Sequence, residues 1–436
     1  MNTSLQDTSQ LLAKLGVTTL NPMQKHAIAA IHEKPEVVLL SPTGTGKTLA
    51  FMVPIIEQIK PDLAQIQVLI LVPSRELAQQ IEQVVRALGA GFKANAIYGG
   101  RAGYQDKLDL KHPPALLIGT PGRVADHLRR GSFNTDAIQT IVLDEFDKSL
   151  EIGFEKDMAE IINALPKVKK RILTSATTKT ELPGFLRMKQ PLILDYLWQG
   201  NKHLRMRSVM ATSFDTRETL AKLLVHLGNQ PGIIFCNFKE SIRDVSETLT
   251  RKGIEHGCFS SNMDQNEREK VLVKFRNGTL QLIVASDLAA RGLDIPELRF
   301  IIHFELPNTE TDFTHRNGRT ARMNSDGTAY IIIARNQPLR EYLPELKEEK
   351  LADNKQLQKS KIKTLYIAGG RRDKISKADI AGLFLKQGQL NATELGRIEV
   401  KQDCAYVAVP ASKTGKLVDL LNNSKLKTKR VRISEL

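Results

Sequence analysis

Ser41-Pro42-Thr43-Gly44-Thr45-Gly46-Lys47-Thr48 follows the apolar run Val37–Leu40 and precedes an amphipathic stretch that begins Leu49-Ala50-Phe51. Strand, glycine-containing loop and helix in this order let backbone N–H groups wrap a polyphosphate at the positive end of a helix. Lys47 can reach the outer phosphates, and the Thr48 hydroxyl can hold Mg²⁺. Ser41 stands where the strict pattern has Gly, while Gly44, Gly46, Lys47 and Thr48 are in register. A plain strand–helix turn would leave Gly46-Lys47-Thr48 unexplained.

Asp144-Glu145-Phe146-Asp147 ends a second apolar run, Ile141-Val142-Leu143. Carboxylates at the end of a buried strand are costly unless they bind something. Asp144 suits coordination of Mg²⁺, and Glu145 suits orienting and deprotonating an attacking water. Far downstream, His315-Arg316-Asn317-Gly318-Arg319-Thr320-Ala321-Arg322 sets three arginines around a glycine. Guanidinium groups supply the positive charge that a breaking γ-phosphate bond needs. A basic helix start facing solvent or RNA is the blander reading of this string.

These residues need a frame that holds strand ends side by side. Apolar runs at Val37–Leu40, Val68–Val72, Ala115–Ile118, Ile141–Leu143 and Ile172–Leu173 alternate with helical patterns, which reads as a parallel sheet wrapped by helices. A second series follows at Gly232–Cys236, Glu255–Phe259, Leu282–Ala285, Phe300–Phe304 and Gly327–Ile333. The expected fold is α/β: two tandem lobes joined near Trp198–Arg207, then a small α+β domain. The boundaries are 1–200 and 201–345 for the lobes, a charged linker over 346–360, and the small domain over 361–436. In that last domain strands are expected at Thr364–Ala368, Glu399–Val400, Tyr406–Val409 and Arg430–Ile433, with helices near Ser376–Gln387 and Ser412–Asn422.

Composition narrows the class. The 436 residues carry a net charge of +15, and residues 361–436 hold 16 Lys plus Arg against 7 Asp plus Glu, so this tail supplies more than half of the excess. A polyanionic partner fits that placement. Only 5 % of residues are aromatic, so stacking on bases can be only local. No run approaches the roughly 18 apolar residues of a membrane helix. The N-terminal residues are polar, without a secretory-signal pattern. Cys236, Cys258 and Cys404 lie far apart without zinc or redox spacing, which fits a reducing cytoplasm.

With these motifs in order, residues 15–335 resemble a DEAD-box RNA helicase with two RecA-like lobes. Asn21-Pro22-Met23-Gln24 resembles the adenine-reading glutamine motif, and Ser41–Thr48 the phosphate loop, which implies nucleotide contacts from Ser41, Thr43, Gly44, Thr45, Gly46, Lys47 and Thr48. Pro73-Ser74-Arg75-Glu76-Leu77-Ala78, Gly99-Gly100 and Thr120-Pro121-Gly122-Arg123 resemble RNA-contacting motifs. Asp144–Asp147 takes the DEAD position, and Ser175-Ala176-Thr177 the following motif. Gln265 with Arg268, Ser286-Asp287 with Ala290–Asp294, and His315–Arg322 complete the series. The resemblance implies that Asp294 contacts the ribose of ATP and that Arg319 and Arg322 act as arginine fingers. It implies that Asp147, Ser175, Thr177 and His315 couple the two ligands. Pro73, Arg75, Gly100, Thr120, Arg123, Arg268 and Ser286 would grip an RNA backbone, which gives binding energy without base specificity.

Four departures stand out: Phe146 replaces Ala in the box, residues 1–15 lack the usual adenine-stacking aromatic, Ser286 replaces Thr, and Asn317 and Ala321 replace Ile and Gly. Slower or differently coupled hydrolysis is expected, not a dead enzyme. Residues 361–436 resemble the RRM-like RNA-binding domain of the DbpA-type subfamily, which is associated with a hairpin of large-subunit (23S) ribosomal RNA and with ribosome assembly. RNA contacts are expected from Tyr366, Tyr406, Lys427, Lys429 and Arg430. The activity implied is RNA-stimulated hydrolysis of ATP with Mg²⁺, coupled to local unwinding of structured RNA in pre-50S particles, with no obligate protein partner. The competing readings are an ATP-gated RNA clamp or scaffold, and a DNA-processing helicase.

Overall fold

The computed structural model describes residues 12–89, 91–100, 103–177, 182–197, 203–211, 215–260, 263–287, 298–321, 326–335, 338–351 and 359–436. The chain divides between residues 202 and 203 into two compact units. Among the described residues no helix is long and apolar enough to cross a membrane.

The first unit is a seven-stranded parallel sheet. Its strands are β1 (Glu36–Leu40), β2 (Val68–Leu71), β3 (Ala94–Ile97), β4 (Leu116–Gly119), β5 (Thr140–Leu143), β6 (Lys170–Ser175) and β7 (Leu192–Asp195), in the spatial order β3-β4-β2-β5-β6-β1-β7. Strands β2, β4 and β5 are buried along their whole length, because helices cover both faces of a parallel sheet. Two apolar layers result, one with Phe51, Ile55, Ile70 and Ile118, the other with Leu69, Leu117, Leu143 and Phe146. Helix α1 (Pro22–Glu33) starts with Asn21 and Gln24 capping each other and Pro22 at the first turn. Helix α2 (Lys47–Gln58) follows the phosphate loop, and α3 (Arg75–Leu88) is capped by the Ser74 hydroxyl. Helices α4 (Gly103–Lys111), α5 (Pro121–Arg129), α6 (Phe146–Glu151) and α7 (Glu155–Asn163) complete the layer pattern.

The second unit repeats the architecture with β8 (Leu204–Met210), β9 (Gly232–Cys236), β10 (Gly257–Phe259), β11 (Leu282–Ser286), β12 (Phe300–His303), β13 (Gly327–Ile333) and β14 (Lys347–Glu348), ordered β10-β11-β9-β12-β13-β8-β14. Its helices are α8 (Thr216–Leu227), α9 (Lys239–Arg251), α10 (Gln265–Arg276) and α11 (Glu310–Asn317). Part of the stretch read as a junction is thus a strand. In β8 Arg205 and Arg207 alternate with Leu204, Met206 and Ser208, so no continuous apolar run announces it. Part of the expected linker also joins this sheet, because Lys347 and Glu348 pair with Arg207 and Ser208.

The tail carries β15 (Ile362–Ile367), α12 (Lys377–Gly382) continued by a π-turn over Leu383–Gln387, β16 (Ile398–Val400), β17 (Ala405–Pro410), α13 (Thr414–Leu421), β18 (Lys425–Leu426), β19 (Lys429–Arg430) and β20 (Ile433–Glu435). The antiparallel order of the main sheet is β16-β17-β15-β20. The expected final strand lies a little later in the chain, because β18 and β19 form a small hairpin of their own. Leu365, Ile367, Val407 and Val409 face a core shared with Ile380, Phe384 and Leu417.

The opposite face of this sheet is partly covered by the second lobe: Tyr406 is buried there, Tyr366 half-buried and Ser434 exposed. Thr364 is fully buried, and its hydroxyl bonds with Thr279 Oγ1 (2.8 Å) and Asn277 Nδ2 (3.2 Å) of the second lobe. Arg276, at the end of α10, donates through Nε and Nη2 to both oxygens of Glu399 on β16 at 2.8 and 2.9 Å. Lys401 reaches Glu269 of the same helix at 2.5 Å. Burial works to raise the Glu399 carboxyl, yet Arg276, Lys401 and Arg397 hold it below the usual range.

Candidate functional site

A parallel sheet presents all its carboxyl ends along one edge, so strand order decides which loops become neighbours. Leu40 at the end of β1 pairs with Ser175 at the end of β6, and β6 pairs in turn with β5. The phosphate loop, the Ser175-Ala176-Thr177 segment and the Asp144–Asp147 box are therefore adjacent. On the other side of β5, Leu71 of β2 pairs with Leu143 and with Gly119 of β4, and β4 pairs with β3. That half of the edge carries Pro73–Arg75, Thr120–Arg123 and Gly100. One sheet thus separates the phosphate-loop half of the edge from the half that carries the residues expected to grip an RNA backbone.

In the phosphate half, Gly44 and Gly46 adopt φ of +80° and +84°. A Cβ on Gly46 would also lie 2.3 Å from the Gln24 amide, so this position admits only glycine. Lys47 Nζ donates to the carbonyls of Ser41 (2.6 Å) and Pro42 (3.0 Å). The Ser41 hydroxyl lies 2.8 Å from Thr45 Oγ1, which donates to the Pro42 carbonyl. Ser41 in the glycine position thus braces the loop. Gln24 is buried and its amide is used inside the protein: Oε1 accepts from Asn21 N (3.0 Å), and Nε2 donates to the Gly46 carbonyl (3.3 Å). Asn21 Nδ2 reaches the Thr45 carbonyl at 3.1 Å. Asn21 was not singled out from sequence, although N-x-x-Q is a capping-box spacing.

Asp144 is 3 % exposed. The Thr174 hydroxyl donates to its Oδ1, as does the Glu145 N–H (3.1 Å). Burial, followed by the Glu145 charge, pushes its carboxyl up to about 6. Glu145 has a left-handed backbone, φ 49° and ψ 50°, which is strained for a residue with a side chain. Thr174 accepts the Glu145 N–H at 3.2 Å, so one hydroxyl fixes both members of the pair. Phe146 is 2 % exposed and fills the second apolar layer beside Leu143, which is how the chain accommodates a large ring in the box. Asp147 Oδ2 accepts from Thr177 Oγ1 (3.1 Å), and Ser175 Oγ accepts from Thr177 N (3.0 Å), so the three expected coupling residues of this lobe come together.

Asp144 and the Thr48 hydroxyl are the groups that would hold Mg²⁺. Among the described residues no set of three or more His, Cys, Asp or Glu side chains could bind a metal alone. Asp144→Asn tests the electrostatics. The raised carboxyl means that the folded state binds a proton more readily than the unfolded chain, so stability falls as pH rises from about 4 to about 6 and the full cost persists above. At pH 7.5 the Asp144→Asn substitution should stabilise the first lobe by on the order of 2 kcal/mol, an advantage that vanishes near pH 4, while turnover is lost. Calorimetric melting at both pH values checks it; an unchanged transition at pH 7.5 would contradict the buried-charge account.

In the other half of the edge, Thr120 starts α5, and Arg75 lies over Gly100, where φ is +83° and a Cβ would sit 2.4 Å from an Arg75 Nη. Pro73 is buried. Arg123 donates through Nε to Asp106 Oδ2 at 2.8 Å.

In the second lobe, Ser286 ends β11 beside Cys236 of β9. Arg268 is buried, its guanidinium 4.7 Å from the centre of the Phe259 ring. Arg316 is 1 % exposed and spans three elements: it donates to both oxygens of Asp287, to Asn237 Oδ1 and to the Glu305 carbonyl, each at 2.6 Å. His303, buried and pushed down to about 3 by burial and by Arg316, stays neutral and donates through Nε2 to Asn317 Oδ1 at 3.0 Å. This bond accounts for Asn317. Ala321 takes φ 55°, and Gly327 gives it room, because a Cβ there would lie 2.6 Å from Ala321 N. His315 on α11 and Arg319 just beyond it are mostly buried. Asp294 and Arg322 lie outside the described residues.

The tail revises one expectation. Tyr406 is 5 % exposed, its ring centre 5.8 Å from that of Tyr366, on the sheet face covered by the second lobe. It packs and offers no platform to a base. Tyr366 is half-buried beside it. Lys427 pairs with Asp379 (2.9 Å) and Lys429 with Asp373 (3.0 Å), while Arg430 is exposed.

Three family models match: DEAD/DEAH box helicase over residues 21–183, Helicase conserved C-terminal domain over 215–324, and DbpA RNA binding domain over 364–435. The ATP-dependent RNA helicase DbpA of Escherichia coli (strain K12) is 32 % identical over 438 residues, covering 97 % of this chain and 95 % of that protein. The protein of the same name from Bacillus subtilis (strain 168) is 29 % identical, covering 98 % and 97 %. Among solved structures, Mss116p bound to single-stranded RNA and AMP-PNP is 26 % identical, with a TM-score of 0.66 over 76 % of this chain and 73 % of that one. S. cerevisiae Dbp5 bound to RNA and ADP BeF3, 24 % identical, shares the fold with a TM-score of 0.67 over 76 % and 88 %.

Proposed function

Since the chain belongs to the DEAD-box ATP-dependent RNA helicases of the DbpA type, we propose that it unwinds short duplexes beside a structured element of large-subunit (23S) ribosomal RNA during assembly of that subunit. RNA-dependent hydrolysis of ATP is the family's activity. The observation that carries the finer reading is the seating of the tail on α10, the helix whose first turn holds Gln265 and Arg268. RNA held by the tail then stands at a fixed distance from a phosphate-gripping arginine, and tethering raises its local concentration there.

In this reading Lys47 and the loop amides bind the β- and γ-phosphates of ATP, and Asp144 with Thr48 holds Mg²⁺, which neutralises phosphate charge when bound. Glu145 takes a proton from the water whose oxygen attacks the γ-phosphorus as the bridging oxygen leaves with ADP. Asp147, Ser175, Thr177 and His315 transmit RNA binding to this site. Asp294 reads the ribose, and Arg319 and Arg322 meet the terminal phosphate once ATP has drawn the lobes together. Pro73, Arg75, Gly100, Thr120, Arg123, Arg268 and Ser286 hold RNA phosphates, while the basic edge near Lys427, Lys429 and Arg430 contributes to the tail's RNA surface.

The test compares one duplex joined to a 23S ribosomal RNA hairpin fragment with the same duplex joined to a scrambled hairpin. Strand displacement and phosphate release should both be stimulated at least about tenfold by the cognate fragment, and deletion of residues 361–436 should abolish that preference. Equal rates on the two substrates would remove the ribosomal RNA assignment. Stimulated phosphate release without displacement would favour the clamp.

A further inference from the structure

We infer that Asp106 is a positioning residue for RNA binding, acting through Arg123. This deepens the proposed RNA grip and rests on it. Asp106 lies on α4, is fully buried, and accepts two bonds at one oxygen: Arg123 Nε at 2.8 Å and His127 Nε2 at 3.2 Å. Arg123 and His127 are one turn apart on α5, so a single carboxylate ties α4 to the helix that follows Thr120.

A buried carboxylate is costly unless it is paired, and a merely stabilising contact could be made by an apolar side chain of similar size. What the carboxylate adds is direction. Arg123 keeps 18 % of its side chain exposed, whereas Asp106 keeps none. The inner edge of the guanidinium is therefore anchored in the protein, and its plane is set. A set plane is what a two-point contact to a phosphate needs, and a flexible cation loses entropy to reach it. Gly103, three residues before Asp106 on the same helix, allows the close approach: a Cβ there would sit 3.2 Å from Arg123 Nη2. Gly100, three residues earlier again, does the same for Arg75. Gly100, Gly103 and Asp106 thus shape the surroundings of both arginines, Arg75 and Arg123.

The test titrates single-stranded RNA in the ATPase assay of the full-length protein. Asp106→Ala should raise the RNA concentration for half-maximal turnover about tenfold, with the limiting rate at saturating RNA changed far less. Asp106→Asn keeps an acceptor for Nε and should recover most of the loss. Arg123→Lys keeps the charge without the fork and should lose as much as Arg123→Ala. In an Arg123→Ala background, Asp106→Ala should add less than about a twofold further loss. Independent, multiplying losses would overturn the positioning role, as would an Arg123→Lys protein with wild-type RNA dependence. If Asp106→Ala does not fold, Asp106→Asn and Arg123→Lys still decide. If Arg123→Ala alone leaves the RNA dependence and its salt slope unchanged, the RNA-grip reading itself fails, a result separate from failure of the Asp106 claim.

Discussion

A Glu145→Gln protein will bind ATP and RNA, but its hydrolysis step will slow by about a thousandfold. Glutamine keeps the size and acceptor oxygen of glutamate, so nucleotide affinity should stay within about threefold. What it lacks is the capacity to take a proton from water at neutral pH. The proposed task of Glu145 rests on its placement. Its neighbour Asp144 is buried, while Glu145 sits at the head of α6 in a left-handed conformation maintained by the Thr174 hydroxyl. Such strain persists only where surrounding bonds over-determine it. Single-turnover phosphate release at saturating RNA, beside binding of a fluorescent ATP analogue, separates the two effects. Release at the wild-type rate from the Glu145→Gln protein would show that another group activates the water.

Much of this site was legible in the chain because its local chemistry is dense. Gly44, Gly46, Lys47 and Thr48 sit in one loop and the helix turn after it, and the apolar runs before them and before Asp144 mark central strands that are buried on both faces. What escaped the sequence are partnerships across long separations. Thr174 holds Asp144 from 30 residues away, and His303 accounts for Asn317 from 14 away. A threonine or a histidine in an apolar run carries no local sign of its partner. β8, inside the sheet beside the short edge strand β14, escaped for another reason: it alternates arginine with apolar residues and so resembles a linker. The tail's sheet shows the sharpest difference. Thr364 and Tyr366 alternate with Leu365 and Ile367, a pattern that suits an open polar face presenting an aromatic to RNA. The same alternation also suits a polar interface, and Thr364 with Glu399 builds one against Thr279 and Arg276. Hydroxyl and ion-pair contacts leave no hydrophobic signature, so only the assembled chain distinguishes the two.

That interface leads to the second large effect. Glu399→Lys will cut unwinding beside the tethered hairpin by at least about tenfold while leaving the tail's own affinity for the hairpin near wild type. Arg276 and Glu399 are each about seven-eighths buried, so reversing one charge leaves two cations facing each other out of water, and such a break costs about 3–5 kcal/mol. The tail would remain folded, since its apolar core lies on the other side of the sheet, but it would leave α10. The pair has a pH sign. Glu399 is held below the usual carboxylate range, so its contribution is complete above the unfolded carboxyl's titration near 4.5 and is lost as pH falls further through the folded value. Docking should therefore be insensitive to pH around neutrality and weaken only in acid. The converse variant locks the contact. Thr279 Oγ1 and Thr364 Oγ1 are 2.8 Å apart, so cysteines at both positions should form a disulfide after mild oxidation, and the crosslinked protein should unwind at the wild-type rate. The two variants constrain each other. If the crosslinked protein is inactive and recovers on reduction, the tail must leave the lobe during the cycle, and the docked arrangement is a resting state. If it is active and the Glu399→Lys protein is not, α10 is the beam through which RNA bound at the tail is held in register with Arg268.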